Sequence, residues 1–107
     1  MAQDYILLND RAENGLIAIN KSVFYAISEI AIQEIENAEL APSTFSKPIS
    51  IKIAKNELQV AVDLKVRYGA NVNSTCELVQ NKIYENILFM TGYKPNDVTV
   101  NVVGFDI

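Results

Sequence analysis

Leu58-Gln59-Val60-Ala61-Val62-Asp63-Leu64-Lys65-Val66-Arg67-Tyr68 is the longest clean alternation of apolar and polar residues in the chain. A period of two puts Leu58, Val60, Val62, Leu64, Val66 and Tyr68 on one face of a strand. Gln59, Ala61, Asp63, Lys65 and Arg67 fall on the other. One face is therefore buried and one wet, as in a sheet covered on a single side. Upstream, Ile49, Ile51 and Ile53 alternate with Ser50, Lys52 and Ala54. Asn56-Glu57 supplies a tight connection, so the two runs read as an antiparallel hairpin.

Outward from the hairpin the period changes to that of helices. Val23, Ile27, Ile30, Ala31 and Ile35 recur at three- and four-residue spacing with Phe24 beside them. They predict a helix over Lys21–Asn37, opened by Asn20 as N-cap and preceded by a short strand at Leu16–Ile19. On the other side, Gly69 ends the long strand. Ser74-Thr75-Cys76-Glu77 has the form of a capping box. Cys76, Val79, Ile83, Ile87 and Met90 make the stripe of a second helix, stopped at Gly92 with Pro95 beyond. Val98, Val100 and Val102 alternate in a closing strand that Gly104 breaks. Ala41–Pro48, with two prolines, is a loop. Residues 1–14 form an arm, with a short strand at Tyr5–Leu8 and a polar turn from Asp10 to Gly15. The order β-α-β-β-α-β predicts an α+β two-layer sandwich: one mostly antiparallel sheet, both helices on one face, ferredoxin-like connectivity, and a single domain over 15–107.

Composition narrows the chemistry. The 107 residues are half hydrophobic, with 9 Lys+Arg against 13 Asp+Glu, one cysteine and no histidine or tryptophan. This length supports one core and leaves little for a deep cleft. A lone cysteine excludes a disulfide framework and a multi-cysteine zinc site. Lack of histidine removes the commonest general base and metal ligand at neutral pH. A net charge of −4 opposes non-specific binding to nucleic acid or anionic lipid. The start, Met1-Ala2-Gln3-Asp4, lacks the basic region of a secretory signal, and no apolar run is long enough to span a bilayer. The expectation is a cytoplasmic chain without cofactor or metal.

The residues that carry chemistry are few. Cys76 lies on the apolar stripe and reads as structural rather than reactive. Glu29, Glu34, Glu36 and Glu39 make the end of the first helix acidic, a solvated patch more than a metal or acid–base site. From Lys47 to Arg67 there are five basic residues and two acidic ones. Lys52, Lys65 and Arg67 share the outward parity of the hairpin and give it a mildly basic face. Acid on one layer and base on the other read first as the ordinary polar surfaces of a one-sided sheet, with head-to-tail stacking of copies as the alternative. RNA-recognition domains share the expected element order, yet they stack bases on aromatic residues of the open sheet. Gln59, Ala61, Asp63, Lys65 and Arg67 offer no ring. No phosphate-cradling glycine loop and no nucleophile–base pair is present to suggest an enzyme.

Several of these features together resemble the alkaline shock protein family of bacterial envelope stress proteins. They are Tyr68-Gly69 at the end of the long strand, Val79-Gln80 in the second helix and Met90-Thr91-Gly92 at its stop. The closing run Val98-Thr99-Val100-Asn101-Val102-Val103-Gly104 completes the series, and Gly15–Ile19 with the helix Val23–Ile35 is similar to the family's opening block. The match spans about residues 15–106. Ala38-Glu39-Leu40-Ala41-Pro42 stands where members usually carry a small Gly-Val segment. The resemblance implies a small cytoplasmic scaffold without enzymatic activity, one that self-associates and binds a protein partner, with some members held under the membrane by a membrane-anchored one. It also leaves open an accessory role to a lipid-metabolism enzyme. Tyr68, Gly69, Gln80, Gly92 and Gly104 are the motif positions it marks.

Overall fold

A computed structural model of the chain describes residues 2–9, 15–42 and 47–107. The elements run β1 (Ala2–Gln3), β2 (Tyr5–Asn9), β3 (Leu16–Asn20), α1 (Lys21–Gln33), β4 (Ala38–Leu40), β5 (Ile49–Ala54), β6 (Glu57–Arg67), α2 (Val72–Thr91) and β7 (Asp97–Asp106). The class is α+β. The long alternating strand is β6, which lies at the centre. Its buried positions are Leu58, Val60, Val62, Leu64 and Val66, each at most 1 % exposed. Only that face is covered, and α1 and α2 pack against each other above it.

β5 pairs antiparallel with the first half of β6, from Ala54 against Glu57 to Ile49 against Val62. The turn between them is Lys55-Asn56, with φ of 53° and 57°. This two-residue left-handed turn matches the twist of its strands. β4 pairs antiparallel with the second half of β6, and β7 runs parallel along its other side. β6, α2 and β7 thus form a strand–helix–strand unit of adjacent parallel strands.

Four expectations are corrected. The connectivity is not ferredoxin-like and the sheet is not single. Leu16–Asn20 leaves the main sheet and pairs with Tyr5–Asn9 as a separate two-stranded ribbon. The arm supplies four apolar residues close in sequence, and pairing with a near neighbour costs less loop entropy than a distant strand. Second, α1 ends at Gln33, not Asn37, because Ala38–Leu40 is drawn into the sheet beside β6. Third, the buried face of α1 is Phe24, Ile27, Ser28, Ala31 and Ile32, rotated from the expected stripe; Val23 and Ile30 are exposed. Ser28 is fully buried because its hydroxyl donates to the Phe24 carbonyl at 2.8 Å. Fourth, the cap of α2 is Asn71, whose side chain accepts from Ser74 N–H at 2.8 Å, so Ser74 lies inside the helix. Asn20 does cap α1, accepting from Ser22 N–H at 3.0 Å. Gly92 ends α2 at φ 75°, donating to the Leu88 carbonyl. The expected turn at Asp10–Asn14 and positions 43–46 of the loop lie outside the described residues.

The arm is tied to the body by polar groups at the β5–β6 turn. Asn56 Oδ1 accepts from Leu7 N–H at 2.8 Å, and its Nδ2 donates to the Leu7 carbonyl. The one hydroxyl proton of Tyr93 is shared between the Asn56 carbonyl at 2.8 Å and Asn96 Oδ1 at 2.9 Å, and Asn96 Oδ1 also accepts from Leu58 N–H. Ile6, fully buried, joins the ribbon to the core.

Candidate functional site

The candidate site is the seam between the helices. Glu34, just past α1, lies by Lys82 of α2, and Asn86 and Met90 of α2 share one groove with Val23 to Ile30 of α1. Val23, Ala26 and Ile30 of α1 and Met90 of α2 line a groove of about 430 Å³ with Ile27 as its buried floor. One end is bridged by Lys82 Nζ to Glu34 Oε2 at 3.0 Å. Ile30 is 53 % exposed, Met90 66 % and the adjacent Phe89 90 %. A helix needs one apolar stripe to reach the core; α1 carries a second one at Val23, Ala26 and Ile30. Two of the residues expected to anchor the helix in the core, Val23 and Ile30, are therefore its surface, while Phe24, Ile27 and Ala31 are buried as expected.

The outward sheet face is less basic than the hairpin alone. Lys52, Lys65 and Arg67 do share it, but β4 and β7 add acid to the same side. Glu39 stands opposite Lys65, Asp106 opposite Arg67 and Asp97 opposite Gln59. Asn101 Nδ2 donates to Asp63 Oδ1 at 3.2 Å within that face. Cross-strand pairs of opposite charge dominate, so no single-sign field survives. The acidic cluster is divided too. Glu34 pairs with Lys82, and Glu29 is half-buried on α1. Glu36 sits in the turn after α1 and, with Lys65, Arg67 and Asp106, rims a depression of about 320 Å³ at the end of β6. Glu36 thus joins the two cations rather than the other glutamates. Among the described residues this face holds no aromatic ring, the feature an RNA-recognition sheet needs.

The motif positions take structural places. Tyr68 keeps the inward parity of β6 but lies past the helix cover, 70 % exposed and edge-on to Phe105 at 5.8 Å. Gly69 turns the chain at φ 93°. Gln80 reaches the sheet, its Nε2 donating to the Val98 carbonyl at 2.7 Å. Gly104 stands opposite Lys65, just past an irregularity that leaves Val103 unpaired. Cys76 is half-buried, and burial pushes its thiol up from the ordinary value, away from a reactive thiolate. No group of three or more carboxylate or cysteine side chains able to hold a metal occurs among the described residues, and no helix there is long and apolar enough to cross a membrane.

Sequence reasoning missed the groove because it credited Val23, Ile30 and Met90 to the core. The signal was Ser28: moving it onto the buried face of α1 turns Val23 and Ile30 outward. The Asn56–Tyr93–Asn96 network has no local signal, since its partners are remote in sequence.

No curated protein matches this chain. The sequence model of the alkaline shock protein 23 family, described by a cell envelope-related function, matches residues 9–107. With nearly its whole length matched, the chain belongs to the alkaline shock protein family of cell envelope-related function.

Proposed function

We propose that the protein is a non-enzymatic adaptor of the cell envelope stress response, acting from the cytoplasm by binding a protein partner and by self-association. The observation that carries this reading is the interhelical groove, where Val23, Ile30 and Met90 meet solvent. Large apolar side chains that gather at a surface seam mark contact sites, and each costs stability in water unless covered. The groove lacks the convergent titratable groups that catalysis would use. The surrounding polar surface supplies a rim, and the Lys82–Glu34 pair fixes one end. Attachment to the membrane would come through the partner.

The test places a photo-crosslinking amino acid at position 30 or at position 52 in native cells. The proposal expects protein adducts from position 30 and few from position 52 on the mixed-charge sheet. Equal labelling from both, or none from position 30, contradicts the groove as the contact surface.

A further inference from the structure

Strand β7 is paired on one side only among the described residues. The phase of the ladder tells which of its groups are free. Asp63 N–H donates to the Pro48 carbonyl at 2.7 Å and Arg67 N–H to that of Asn37 at 2.9 Å. The odd residues of β6 therefore face β5 and β4, and its even residues face β7. Alternation along the parallel pair then turns Asp97, Thr99 and Asn101 toward β6. The N–H and C=O groups of Val98, Val100 and Val102 are aimed at the open side. Beyond the irregularity at Val103 the phase changes. Tyr68 N–H bonds the Asp106 carbonyl at 2.9 Å, which leaves Phe105 facing outward.

One of these groups has a partner: the Val98 carbonyl accepts from Gln80 of α2. Gln80 and Tyr84 of α2, with Asn96 and Asp97, line a depression of about 330 Å³ beside this end of the edge. Natural edges are blunted by lysine, proline, bulges or short length. Ahead of the irregularity at Val103, the run Val98–Val102 of β7 holds no lysine, proline or bulge.

We propose that the open edge of β7, flanked by α2, receives an extended segment of a partner protein as an added strand. This rests on the adaptor reading and gives the protein a second, backbone-specified contact. Unpaired N–H and C=O groups at every second residue call for another strand, which an apolar patch alone would not. The chemistry of that strand follows from the side chains. Apolar residues at alternate positions would extend the Val98, Val100 and Val102 row beneath α2. The intervening ones would be Lys or Arg near the start of the edge, because the outward side of β7 carries no basic residue and its Asp97 stands opposite the neutral Gln59. A second copy fits this edge less well, since it brings the same aspartates and a second α2 to the seam.

The probe is a seven-residue peptide of alternating Lys and Val with blocked ends, titrated into the full chain at physiological salt. Hydrogen exchange by NMR is the readout. The amides of Val98, Val100 and Val102 are expected to exchange at least about tenfold more slowly with peptide bound. Those of Thr99 and Asn101, already bonded to β6, should change little. The same peptide N-methylated at alternate residues should give no protection. Val100→Pro should abolish binding with charge unchanged, and it suits the fold because that N–H is not used by β6. Equal binding by the N-methylated peptide, shifts centred on Val23, Ile30 and Met90, β7 protection by self-association alone, or no binding up to about 1 mM would overturn the proposal. Such a failure leaves adducts from position 30 standing. Loss of those adducts with edge protection retained counts against the groove and not against the edge.

Discussion

Asn56 shows how one residue holds two parts of the fold. It sits at φ 57° in the β5–β6 turn, and its side chain makes both hydrogen bonds to Leu7 that fasten the arm. Asn56→Gly keeps the turn and loses the two bonds, at an expected cost of about 1–2 kcal/mol. Asn56→Ala loses them and adds a left-handed non-glycine residue, so it should cost about 1 kcal/mol more. Urea unfolding of the two variants separates the contributions. The chain announced a turn here, one residue late, but not the bonds, whose acceptor and donor lie 49 residues away. Tyr93 and Cys76 give a pH signature. Burial raises both, with Glu57 adding to the rise at Tyr93 against a partial offset from the Leu58 backbone. The unfolded chain loses these protons first. The stability they contribute is full below the ordinary values, about 8.5 for the thiol and about 10 for the phenol, and is lost as pH climbs from each of these through the raised value in the fold. The urea midpoint should fall from about pH 8 to about pH 11, and Cys76→Ser with Tyr93→Phe should flatten the slope.

At the scale of elements, α1 teaches most. Its sequence holds more apolar residues than one stripe needs, so hydrophobic spacing alone admits two phases. Ser28 breaks the tie only once its hydroxyl is seen to bond the Phe24 carbonyl, which makes a polar residue acceptable inside. The phase is testable by stability. Ile27→Ala, at 5 % exposure, should cost about 2–5 kcal/mol, whereas Ile30→Ala should cost under about 1 kcal/mol. Equal losses would contradict the rotated face. The strands were more legible: β5, β6 and the first part of β7 follow their period of two. Which strands would be neighbours was not legible, because β3 could join either the sheet or the arm, and the arm's pairing was decided by chain proximity. What the Gln80 amide bonds is not legible from its neighbours in the chain, because its acceptor, the Val98 carbonyl, lies 18 residues away.

For the whole molecule, charge read along the chain misled where charge read across the sheet does not. Lys47 to Arg67 is locally basic, yet Glu39, Asp97 and Asp106 arrive from β4 and β7 on the same face. Head-to-tail stacking by opposite layers therefore has little field to drive it. Association through the apolar groove should persist or strengthen as salt rises, whereas ion-pair stacking would weaken. Light scattering over a concentration and salt series reports the difference, and Ile30→Lys should lower the mass at every salt. The proposed role, contact at the cell envelope, is tested most directly by purification of the tagged full chain from crosslinked native cells, followed by membrane fractionation. That role predicts recovery with a defined protein partner, part of it in the membrane fraction, and loss of both with Ile30→Lys. Recovery of the unaltered chain only as a free monomer in the soluble fraction would contradict it.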